Sequence, residues 1–166
     1  MNYTVVIVAC LILVAVVFWA KLFTEKSLKV QAMDNGKTVK GIVLPLRLQA
    51  YERMALYLER IEPNQLVMRI HGDGLTVAQE QNLLLTAIRS EFEHNLSQQI
   101  YITPAVWKRI CDAKDDIITI VNTVAEQLDP NANSLEYAEA LLIASAEKPV
   151  VENALAVLKT DVQKLF

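Results

Sequence analysis

The stretch TPAVWKRICDAKDDIITIVNTVAEQL, Thr103–Leu128, decides the fold. Trp107, Ile110, Cys111, Ile117, Ile118, Val121 and Leu128 recur at three- and four-residue spacing, which places them on one side of a helix. Thr103 is of N-cap type, and the fixed φ of Pro104 suits a first helical turn. Asp129-Pro130-Asn131 ends the pattern, because the residue before a proline is pushed out of helical backbone. A long helix with one apolar side needs other helices to cover that side.

Reading outward, the pattern repeats. On the N-terminal side, Leu44, Leu48, Tyr51, Ala55 and Leu58 form the apolar face of a helix over 45–61, opened by Pro45 and blocked by Pro63. A turn at His71-Gly72-Asp73-Gly74 leads to a helix over 77–99, with Thr76 as its cap and Leu85, Ile88, Phe92 and Leu96 as its stripe. On the C-terminal side come helices over 135–146 and 149–165, the last with Val151, Leu155, Leu158, Val162 and Leu165 at heptad-like spacing. Four Gly and five Pro in 166 residues leave few turns, and no internal repeat is present. The expectation is an all-α protein, with a bundle of about five amphipathic helices over 44–166.

Ahead of the bundle lies VVIVACLILVAVVFWA, Val5–Ala20, with no charged residue. Leu22 and Phe23 extend it past Lys21, whose ammonium can snorkel to the interface. This predicts a transmembrane anchor over 1–24 and a juxtamembrane linker over 25–43 with a turn at Asp34-Asn35-Gly36-Lys37. A cleaved signal peptide fits less well, because MNYT carries no Lys or Arg and no small-residue cleavage site follows. Ile7-Val8-Ala9-Cys10 matches a lipoprotein box, but the apolar run before Cys10 is too short and continues beyond it. Lys21, Lys26 and Lys29 flank the span on one side, followed by Lys37 and Lys40. The positive-inside rule therefore places the N-terminus outside and the bundle on the cytoplasmic side.

Charge divides along the chain. Residues 1–60 hold eight Lys/Arg against four Asp/Glu, and residues 61–166 hold eight against fifteen, giving about +4 and −7. A basic collar suits an anionic leaflet, and an acidic outer surface argues against nucleic acid as a partner. Cys10 and Cys111 form no CxxC motif and no sensible disulfide, one lying in the apolar run and one in the bundle.

Candidate chemistry is sparse. Glu91-Phe92-Glu93-His94 has the E-x-x-H spacing of carboxylate-bridged di-iron bundles, but the second E-x-x-H those sites need is missing. His94 falls opposite the apolar stripe, as a surface histidine does. No phosphate loop, nucleophile–histidine pair or metal-ligand cluster is present, so no catalytic residue, metal or cofactor is expected. More telling are polar residues inside apolar stripes: Lys114 between Trp107 and Ile118, Arg47 between Leu58 and Met54, and Glu91 with Asn95 beside Phe92. Buried charges need partners, so Glu91 is expected to pair with Lys114 or Arg47 in one buried cluster of Arg47, Glu91, Asn95 and Lys114.

The runs LPLRLQAYERMALYLERIEPNQLVMRI (Leu44–Ile70) and EFEHNLSQQIYITPAVWKRICDAK (Glu91–Lys114) resemble an uncharacterised family of small single-pass, membrane-anchored helical proteins of Bacteroidetes-type bacteria. The resemblance implies an anchor followed by helices and brings no activity and no site residues. Two function classes follow from the residues. One is a membrane-tethered, non-enzymatic interaction module or accessory subunit of a larger membrane complex, able also to self-associate through the seam of its last helix. The other is a small-ligand binder or enzyme using Glu91, His94, Arg47 and Lys114, which requires those groups to converge on one pocket.

Overall fold

The structure is a computed structural model that describes the backbone of residues 3–166, and the side chains of Tyr3, Leu13, 16–22 and 41–166. Helices α1 (Tyr3–Ile61), α2 (Pro63–Ile70), α3 (Val77–Asn95), α4 (Pro104–Ala125), α5 (Ser134–Glu147) and α6 (Val150–Val162) follow in order, with 3₁₀ turns at Leu96–Ile100 and Gln163–Leu165. The protein is all-α. Among the described residues the only bridge of β type is an isolated one between Thr76 and Asn133. The chain divides into two compact units, Met1–Leu44 and Pro45–Phe166, with the boundary inside α1.

In the first unit the described backbone is helical throughout, including 34–37, where the sequence predicts a turn. Asp, Asn and Gly favour turns, but one Gly costs a helix only about 1 kcal/mol, and Gln31-Ala32-Met33 just ahead are good helix formers. Pro45 likewise sits inside α1 and does not open it. Among the described residues no helix is long and apolar enough to cross a membrane. Most of the predicted anchor, residues 4–12, 14–15 and 23, and the flanking Lys26 and Lys29 lie outside the described side chains.

The second unit is a helical bundle with α4 at its centre, packed against α3, α5 and α6. Its core joins Tyr51, Met54, Leu58 and Ile61 of α1, Leu84 and Ile88 of α3, Ile110, Ala113, Ile117 and Val121 of α4, Tyr137 and Leu141 of α5, and Ala154 and Leu158 of α6. The buried face of α4 is turned from the predicted one toward Val106 and Ala113, so Trp107, Cys111 and Ile118 are only half-buried. Helix α2 is absent from the sequence expectation. Pro63 stops α1 and also serves as the first residue of α2, which buries Pro63, Leu66 and Val67. Gly74, at φ 84°, takes the left-handed conformation that closes the turn into α3. Thr76 then caps α3 in a reciprocal box with Gln79.

Candidate functional site

Of the four residues expected to cluster, Asn95 bonds to Glu91 within α3, while the three charged ones each take other partners. Glu91 pairs with Arg60 at 3.3 Å, a contact in which Arg60 is 59% exposed. Arg47 donates from Nε to the carbonyl of Tyr101 at 3.2 Å. Lys114 holds Asp115 at 3.1 Å, and its Nζ lies 4.5 Å from the centroid of the Phe92 ring. Asn95 is buried and donates from Nδ2 to the carbonyl of Glu91 one turn back. The predicted pairing of Glu91 with Lys114 or Arg47 is therefore corrected. The turned face of α4 sets Lys114 at the edge of the core, where a cation can sit over an aromatic face and still reach water. Phe92 itself stacks on Trp107 at 5.5 Å and meets Tyr57 at 5.9 Å. His94 is exposed, so the ligand-binding set of Glu91, His94, Arg47 and Lys114 does not converge.

Arg47 instead stands beside a different polar network. Asp161 accepts hydrogen bonds from the Tyr51 hydroxyl at 2.6 Å and the Thr103 hydroxyl at 2.8 Å, and pairs with Lys164 at 3.1 Å. The Tyr51 hydrogen bond, with smaller help from Thr103 and Lys164 and against the effect of burial, holds the Asp161 carboxyl below the usual carboxylate range. Burial, reinforced by Asp161, pushes the Tyr51 phenol up. This network ties α1 and the start of α4 to the end of α6. Thr103 spends its hydroxyl there and makes no side-chain cap bond to α4.

The most deeply buried acid is Glu80, on the first turn of α3, with no solvent exposure. One of its oxygens meets Nδ1 of His71 at 3.0 Å, and the other has no hydrogen-bond partner within the protein. His71 caps α2 and is 27% exposed. The pair closes the α2–α3 turn, which in turn lies on the α4–α5 loop through bonds from Val77 N to the Ala132 carbonyl and from Ser134 N to the Leu75 carbonyl. The sequence places His71 in a turn, and Glu80 is not among the residues it singles out.

Beside these polar contacts runs a groove of about 770 Å³ along α4, walled by α5 and the start of α6. Its apolar lining includes Ile120, Val124, Ala140 and Ile143, and its charged lining is Arg109, Asp116, Glu147 and Lys148. Arg109 to Val124, which both line it, span roughly 22 Å of helix. That is longer than a small-molecule pocket and matches a helical segment. Other charges of α4 are satisfied locally, Lys108 by Asp112 and Lys114 by Asp115. Arg109 and Asp116 take part in no ion pair within the bundle. A cavity of about 210 Å³ adjoins the groove across the Lys148-Pro149-Val150 turn.

Residues 1–165 match the model of a family of unknown function, DUF7935. The chain belongs to that family. No curated protein and no solved structure matches it.

Proposed function

We infer that the chain is a membrane-tethered, non-enzymatic interaction module, an accessory subunit held at the inner membrane of a Bacteroidetes-type bacterium. Its N-terminus lies outside and its bundle in the cytoplasm. The observation that carries the tether is Val16-Val17-Phe18-Trp19, four successive apolar residues that are all exposed on the helix. At 100° per residue they cover about 300° of its circumference, and a helix apolar on all sides calls for an apolar surround. The groove along α4 supplies the interaction surface. Its mixed lining, an apolar floor with unpaired charges at the edge, has the composition of a protein contact.

Fractionation of cells expressing the full chain tests this reading. The protein is expected in the membrane pellet after alkaline carbonate extraction, with the bundle protected from protease added to intact spheroplasts. Release by carbonate would overturn the anchor, and digestion of the bundle in intact spheroplasts would overturn its orientation.

A further inference from the structure

The groove has a charge pattern that selects its occupant. Arg109 and Asp116 both line it and lie seven residues apart, two turns along the same side of α4. They are opposite in sign, and neither takes part in an ion pair inside the bundle. Such a helix edge is complementary to itself when reversed. About a two-fold axis beside Asp112 and Ala113, two antiparallel copies of α4 bring Arg109 of each against Asp116 of the other, so one contact forms two ion pairs. Asp112 then falls near its own copy at the axis, where Lys108, at 2.7 Å, already neutralises it. The same register carries Ile100, 76% exposed just ahead of α4, toward the end of the second copy's groove that holds Val124 and Ile143, itself 65% exposed. Glu147 and Lys148 keep the remaining charged lining neutral in sum.

We propose that the groove along α4 receives a second copy of this chain, in an antiparallel two-fold dimer locked by reciprocal Arg109–Asp116 pairs. This rests on the reading of the groove as a protein contact and names its partner. It differs from an association through the seam of the last helix, of which Val151 and Leu158 are buried in the bundle core and Leu155, Val162 and Leu165 pack half-buried against it.

The test uses the full chain carrying two different tags, co-expressed and dissolved from membranes in mild detergent. Capture on one tag is followed by quantification of the other, and light scattering gives the mass. The wild type is expected to co-purify as a dimer. Arg109→Asp or Asp116→Arg alone sets like charges against each other at both ends of the contact and is expected to lower co-purification about tenfold or more. Combining the two swaps restores opposite charges and is expected to restore the dimer, which also shows that the variants fold. Absence of wild-type co-purification, a single swap without effect, or a double swap that stays monomeric would each overturn the proposal. Co-purifying tags in a chain released by carbonate would leave the dimer standing while the tether falls.

Discussion

Replacement of His71 by Ala is the most demanding test of how the bundle is held together. Glu80 has no solvent exposure, and its one protein partner is the His71 ring at 3.0 Å. Removing that ring leaves a buried carboxyl group with neither oxygen satisfied. Breaking a buried pair by deleting one partner costs about 3–5 kcal/mol. His71 is itself 27% exposed, which lets water reach part of the site and puts the expected loss at the lower end, about 3 kcal/mol. For a unit of this size the loss corresponds to a fall in Tm of roughly 10–15 °C. Glu80→Leu removes the buried acid altogether and keeps its volume beside Leu84, so its cost is expected within about 1 kcal/mol. In that background His71→Ala is expected to be nearly silent, a coupling of about 2–3 kcal/mol. Urea unfolding in mild detergent, followed by Trp107 fluorescence in a Trp19→Phe background, measures all four corners of the cycle. An effect of His71→Ala below about 1 kcal/mol, or one equal in both backgrounds, would refute the pair as the element that closes the α2–α3 turn.

Two further outcomes separate strong from weak polar contacts. Glu91→Ala is expected to cost no more than about 1 kcal/mol, because its partner Arg60 is 59% exposed and screened by water; a loss above about 2 kcal/mol in the same unfolding assay would contradict the exposed pairing. Asp161 is held below the usual carboxylate range chiefly by Tyr51, so its stabilising contribution is present above the ordinary Asp value, about 4, and disappears as pH falls through the lower folded value. Tyr51→Phe is therefore expected to raise the pH at which the Asp161 side-chain carbon shifts in an NMR titration, and an unchanged midpoint would count against the hydrogen bond as the cause.

The helices were legible because each carries its own punctuation. Thr76 with Gln79, Pro104 at the head of α4 and Asp129-Pro130 at its foot act within one turn of chain, so the residues alone reveal them. What the residues hid was set over longer range. The face that α4 buries depends on Ala113, whose small side chain carries little weight in an apolar pattern yet is wholly buried in the core. That rotation moved Lys114 out to the edge of Phe92 and left Glu91 to Arg60, dissolving the predicted cluster. The signal for the buried acid lies on the face of α3. Glu80 lies four and eight residues before Leu84 and Ile88, hence on their side of α3, and an acid on a core face needs a partner nearby. His71, at the end of the preceding helix, was within reach once α2 is recognised as a helix. Pro63 reads as a stop to α1, yet a proline that ends one helix is equally suited to begin the next. The groove was beyond the sequence for a different reason. Arg109 and Asp116 look like two more charges on a solvated edge until the structure pairs Lys108 with Asp112 and Lys114 with Asp115, and it is the satisfaction of those neighbours that makes the two remaining charges informative.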